Sequence, residues 1–221
     1  MKANEKKRLI FGSLLIIVFI VWTILIQTVD VQPLGLNGTN IGFATFNCWF
    51  YELTGANMVL YTITDWMGIV PLFVCMIFAG VGFIQLVKRK SLFKVDSDII
   101  ILGIYYIVVI LCYLLFEAIP INYRPILING VMEASYPSST TLLVITVMPT
   151  LIEQINRRME NTIVSRIIGV FSLVFSIFMV LGRLISGVHW FTDIVGSLFL
   201  SIGLFYVYKG FVLLCLNKTK K

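Results

Sequence analysis

Apolar residues in this chain gather into long runs separated by short polar segments, and run length decides the architecture. A bilayer core needs about 20 apolar residues in helical form. Six runs approach that length, at roughly 9–29, 67–87, 99–116, 138–155, 167–181 and 194–214. They predict an all-α, polytopic membrane helix bundle of about six transmembrane helices. It should fold as a single domain over 1–221, with its chemistry-bearing core at about 99–214. The fourth and fifth runs are short, and Pro149 predicts a kink in the fourth. The first connection, 30–66, mixes Gly, Asn and aromatics around 43–53. Two readings fit it: a helix lying along the headgroups, or a packed loop.

Composition supports the membrane reading. Of 221 residues, 59% are hydrophobic and 13% charged, and the mean hydropathy is +0.97. A soluble domain of this size could not hide that much apolar surface. The net charge of +6 could suggest nucleic acid, but in a membrane chain excess Lys and Arg decorate the cytoplasmic loops, so nucleic-acid binding is set aside. With the N-terminus inside, all but two of the 17 Lys and Arg residues fall on the cytoplasmic side. They are Lys2, Lys6, Lys7, Arg8; Lys88, Arg89, Lys90, Lys94; Arg157, Arg158, Arg166; and Lys209, Lys218, Lys220, Lys221. Lys209 sits late in the last span and is expected to snorkel. The pattern predicts a multi-pass cell-membrane protein with both termini cytoplasmic. The first apolar run is too long for a signal-peptide core and lacks a small-residue cleavage site, so it should remain in the mature chain. Cys48, Cys75, Cys112 and Cys215 are scattered singly with no C-x-x-C, and read as small buried hydrophobes.

The two exceptions, Arg124 and Arg183, carry the functional question. Both fall at outer membrane ends beside polar clusters: Tyr123-Arg124-Pro125, then Tyr136-Pro137-Ser138-Ser139-Thr140, then the stretch from Gly182-Arg183 to His189-Trp190-Phe191-Thr192-Asp193. His189 and Asp193 are four apart and share a face if the last helix begins near His189. A carboxylate on one ring nitrogen fixes the tautomer and leaves the other free to attack. The competing reading is an interfacial His at a helix cap. Pro137 suits a first helical turn, where Ser138, Ser139 and Thr140 add hydroxyls to free backbone N–H groups, the ordinary setting for a phosphate or for a plain cap. Two guanidinium groups suit bidentate phosphate recognition and are costly near lipid without an anionic partner.

These segments together resemble the three signature motifs of the type 2 phosphatidic acid phosphatase superfamily, six-helix membrane lipid phosphatases whose core is related to vanadium haloperoxidases. The resemblance covers about 117–193 and rests on Arg124-Pro125, Pro137-Ser138-Ser139, and Arg183 followed after five residues by His189 and after three more by Asp193. It implies that His189 is the nucleophile forming a phosphohistidine, that Asp193 orients it, and that Arg124, Arg183, Ser138 and Ser139 hold the phosphoryl oxygens. It implies no metal or other cofactor. The implied partner is a phospholipid or polyprenyl phosphate substrate at the outer membrane face.

Three positions depart from the family pattern. Glu117 stands where the first motif has Lys, Thr140 where the second has its acid His, and Gly182 where the third has Ser. General acid catalysis contributes roughly 10²–10⁴-fold, so three explanations compete. A lipid diphosphate, with its good leaving group, needs little protonation. Glu117 or Glu133 could serve as substitute acid if its site raises its pKa; otherwise the first is a cap or a partner for Arg124 and the second a solvated loop residue. Or the protein binds a lipid phosphate without cleaving it. The retained His189–Asp193 pair favours hydrolysis, with phosphotransfer to a second lipid as its near variant. A transporter would carry mid-membrane charges, which the six runs lack.

Overall fold

The structure, a computed structural model, describes residues 3–159 and 162–219; Lys2, Lys220 and Lys221 lie outside the described residues, as does the side chain of Lys218. The chain forms α1 (Ala3–Thr28), α2 (Ala44–Thr54), α3 (Met58–Met67), α4 (Ile69–Arg89), α5 (Ser97–Ala118), α6 (Ser139–Arg158), α7 (Ile163–Ile185) and α8 (Phe191–Thr219). No strand occurs among the described residues; three isolated bridges pin loops.

Five helical segments are long and apolar enough to cross a membrane: α1, the α3–α4 unit over Met58–Arg89, α5, α7 and α8. Their outward faces are crowded with Leu, Ile, Val and Phe, as lipid-facing helices require. The fourth run of the sequence is the exception, and α6 shows why. It passes through the middle of the bundle against α4, α5, α7 and α8, burying Thr141, Thr146, Thr150 and Gln154 beside Leu142, Val144, Val147 and Met148. A helix enclosed by protein can carry polar groups that a lipid-facing one cannot. Arg158 at its end pairs with Asp98 at the start of α5, at 3.2 Å, so α6 retraces the same depth as α5 and completes the sixth crossing. The helix continues through Pro149.

Two expectations need correction. The second crossing begins at Met58 rather than near Met67. The true break is Gly55-Ala56-Asn57, where Asn57 caps α3 by accepting from the Leu60 N–H at 3.0 Å; Asp65 made this segment look like loop. Lys209 does not snorkel: its Nζ lies 2.7 Å from Glu153 Oε2, beside the Glu153–Arg157 pair. The aromatic stretch of the first connection is helical, as one of its two readings had it. α2 buries Ala44 and Asn47 and exposes Phe46, Trp49 and Leu53. Cys48, Cys75 and Cys112 are half-buried rather than fully buried, and form no disulfide.

α1 and α8 run side by side along their length. A Cβ on Gly12 would stand 2.8 Å from the Gly203 carbonyl oxygen and from Val207. Only residues without a side chain permit that backbone approach, the usual device for helix association in lipid, where no hydrophobic force drives helices together.

Candidate active site

The site forms where α5, α6, α7 and α8 end or begin, at the opposite end of the bundle from Arg89 and Arg158. Its first part is the α5–α6 connection. Asn129 and Gly130 both have positive φ, 50° and 78°, the geometry of a tight hairpin turn favoured by an Asn-Gly pair. Ile128 and Val131 exchange hydrogen bonds across it, and Tyr123 bridges Ala134. This hairpin sets Arg124 opposite Glu133: the Arg124 N–H donates to the Glu133 carbonyl at 3.1 Å, and Arg124 Nε lies 3.1 Å from Glu133 Oε2.

The α7–α8 connection supplies the second part. Gly187, at φ 66°, lies so close to the Gly55 carbonyl that a Cβ would clash at 2.0 Å. The Asn57 N–H donates to the Ser186 carbonyl, Trp190 Nε1 donates to the Tyr123 carbonyl at 2.9 Å, and Trp22 Nε1 donates to the Thr192 carbonyl at 3.1 Å. Held from three sides, this turn places His189 in the interior, 3% exposed.

The imidazole geometry differs from the expected triad-like pair. His189 Nδ1 lies 3.0 Å from the Ser135 carbonyl and 3.9 Å from Asp193 Oδ2. A carbonyl can only accept, so Nδ1 carries the hydrogen and, in a neutral ring, Nε2 keeps its lone pair. Burial, then the charges of Arg124 and Arg183, push the His189 pKa well below its usual value, against a smaller opposing effect of the Ser135 bond. The ring is therefore neutral at pH 7. Asp193 is engaged elsewhere: Oδ2 accepts from the Trp190 N–H at 2.9 Å and Oδ1 from Asn122 Nδ2 at 3.1 Å. It is a third-position acid reaching back to the residue before its helix, as in a capping box, with its side chain 3.9 Å from the imidazole.

The two arginines converge. Both guanidinium groups lie over the Tyr61 ring, Arg124 at 5.8 Å and Arg183 at 4.9 Å from its centre. Arg183 Nη2 lies 3.3 Å from Asp65 Oδ1. Arg124 Nη1, Arg183 Nε and Nη1, and His189 Nε2 are buried and make no hydrogen bond; Arg124 Nε meets Glu133 at ion-pair distance without hydrogen-bond alignment. Buried donors of this kind are rare and call for a partner. A polar cavity of about 200 Å³ is lined by Arg124 and His189 together with Tyr113, Glu117, Glu133 and Ser139.

Of the expected site residues, the structure thus gathers His189, Arg124, Ser139, Glu117 and Glu133 around one cavity, with Arg183 beside Arg124 over the Tyr61 ring and Asp193 behind the imidazole. Ser138 is set apart. It is fully buried, its hydroxyl donates to Thr141 Oγ1 at 3.1 Å and its carbonyl accepts from Ser197. Sequence reasoning missed Tyr61, Asp65, Asn122 and Ser135. The Asn129-Gly130 pair could have revealed the hairpin; Ser135 acts through its carbonyl, which no side-chain pattern signals. Among the described residues no group of His, Cys, Asp and Glu is arranged to hold a metal ion.

A helical membrane bundle with a cationic, imidazole-bearing cavity at one end defines a class of membrane phosphatase-like proteins. The chain belongs to the PAP2 superfamily, whose family model matches residues 100–215, more than half its length and all of the motif-bearing segments. In fold it is similar to the crystal structure of a transmembrane PAP2-type phosphatidylglycerolphosphate phosphatase from Bacillus subtilis. The TM-score is 0.64 at 17% identity, covering 90% of this chain and 94% of that one. No curated protein sequence matches. Family and fold together support a multi-pass membrane protein of phosphatase type.

Proposed function

We propose that the protein hydrolyses a lipid mono- or diphosphate through a phosphohistidine at His189. The observation that carries this reading is the buried, unpartnered Nε2 of a histidine that lines one cavity with Arg124, whose guanidinium also lacks hydrogen bonds, with the Arg183 guanidinium beside it over Tyr61. A ring held neutral beside two fixed cations is poised to attack, while the same cations attract the phosphate.

In the first step the Nε2 lone pair forms a bond to phosphorus as the bond to the leaving oxygen breaks. Arg124 and Arg183 hold the equatorial oxygens, where charge concentrates in phosphoryl transfer. Ser139 adds a hydroxyl at the start of α6. The imidazole becomes cationic, and Asp193 and the Ser135 carbonyl stabilise that charge from the Nδ1 side. Water then attacks the phosphohistidine and releases phosphate. With a diphosphate the leaving group is itself a phosphate and departs without a strong acid, which suits a site with Thr140 in place of the family's His. With a monoester, Glu117 is the better-placed proton donor, because Glu133 is tied to Arg124 Nε at 3.1 Å. The basic residues of the opposite end support a cytoplasmic position for that end and an outer position for the cavity.

Phosphate release from a panel of phosphatidic acid, phosphatidylglycerol phosphate and polyprenyl diphosphate tests the reading, run with wild type and His189→Ala side by side. Turnover abolished by the substitution is the expected result. A folded wild type that binds these lipids and releases no phosphate from any of them makes it a non-catalytic binder instead.

A further inference from the structure

Three cavities follow one another along α5. The polar one reaches Glu117 and Tyr113. An apolar cleft of about 630 Å³ comes next, between the α3–α4 junction, α5 and α6, and shares Tyr113, Ser139 and Leu142 with the first. A third, of about 530 Å³, runs between α4 and α5 down to Ile99 and Leu92, and shares Ile110 with the second. From Glu117 to Ile99 the helix climbs 18 residues, about 27 Å. That is nearly the whole thickness of a hydrocarbon core of about 30 Å, and almost twice a single leaflet.

Resting on the lipid-phosphatase reading, we propose that these adjoining clefts together form a groove that holds the substrate's hydrocarbon tail, and that it is shaped for one chain longer than a leaflet: a polyprenyl phosphate or diphosphate. An acyl chain of an outer-leaflet phospholipid fills only the upper half. The lower half is lined by Gly82 and Gly103. A Cβ on Gly103 meets nothing within 4 Å, so no neighbouring protein atom requires glycine there. What its absent side chain preserves is the width of the groove. Gly103 lies ten residues below Tyr113, about 15 Å along the helix, so only a long tail reaches it. Gly103 is on this account a chain-length determinant.

The test uses the full chain in phosphatidylcholine vesicles and a polyprenyl phosphate carrying a diazirine at the tail end, with adducts mapped by mass spectrometry. Adducts are expected on the lower halves of α4 and α5. Gly103→Leu should cut their yield about tenfold, Gly103→Ala less. Gly80→Leu, at an equally open glycine that lines no cavity described here, should not change it. In parallel, Gly103→Leu should raise KM for a polyprenyl diphosphate about tenfold more than for geranyl diphosphate, whose tail is too short to reach it. Adducts on α1 or α7, spread as evenly as those of a diacyl lipid probe, or equal KM changes for the two substrates, overturn the groove. Turnover with adducts elsewhere overturns the groove and leaves the phosphatase reading. Groove adducts without turnover overturn the phosphatase reading and leave the groove; neither adducts nor turnover overturns both.

Discussion

Arg183→Lys separates a shaped phosphate clamp from a mere positive charge. Arg183 is 1% exposed. Its Nη2 faces Asp65, while Nε and Nη1 stay buried without a hydrogen bond. In the proposed complex Nη1 and Nη2, whose N–H bonds run parallel at the end of the guanidinium, hold two phosphoryl oxygens. Lysine keeps the charge and the Tyr61 contact but offers a compact ammonium instead of a planar fork. At least one charge-assisted bond is lost, worth about 1.5–3 kcal/mol, or roughly 10- to 150-fold in kcat/KM. Because transition-state charge lies on the oxygens so held, most of the loss should fall on kcat. Steady-state phosphate release by wild type and variant, matched for folded fraction by gel filtration and thermal unfolding, reads the effect. An Arg183→Lys protein within threefold of wild type would refute the clamp.

Three further outcomes follow from the same geometry. Glu117→Gln should lower monoester turnover at least tenfold more than diphosphate turnover, whereas Glu133→Gln should affect both alike; equal effects of Glu117→Gln on both substrates would remove it as the acid. His189 has a folded pKa below its usual 6.5, so from that value downward the unfolded chain binds a proton the folded chain refuses, and stability falls as pH drops below 6.5. The slope from this group is at most about 1.4 kcal/mol per pH unit; thermal unfolding across pH 5–7 should show His189→Gln with a flatter acid side, and parallel curves would contradict it. Gly12→Val should destabilise the bundle by about 1–3 kcal/mol, since its Cβ would stand 2.8 Å from Gly203 and Val207, and a melting temperature equal to that of Gly80→Val would show that α1 and α8 do not need that approach.

The crossings were legible because lipid demands long apolar runs, and α1, α5, α7 and α8 obey that demand. α6 was legible only as a short, polar run; its threonines and Gln154 make sense once the surrounding helices are known. Asp65 hid the start of the second crossing, because a carboxylate usually ends an apolar run and here it meets Arg183 instead. Convergence of Arg124, Ser139, Arg183 and His189 could be read from motif spacing and from charges placed against the topology. The orienting partner of His189 could not, because the acceptor is the backbone of Ser135. Likewise nothing in Pro137-Ser138-Ser139 distinguishes the serine that lines the cavity from the one whose hydroxyl bonds Thr141 within α6.

The central claim is that Nε2 of His189 takes the phosphoryl group. Rapid-quench mixing with a lipid diphosphate labelled in its terminal phosphate, followed by alkaline work-up and mass spectrometry, reads that bond directly. An acid-labile phosphate on His189, formed and lost at rates consistent with kcat, is the predicted result. Unimpaired turnover in His189→Ala, with no phosphorylated residue in the wild type, would contradict it.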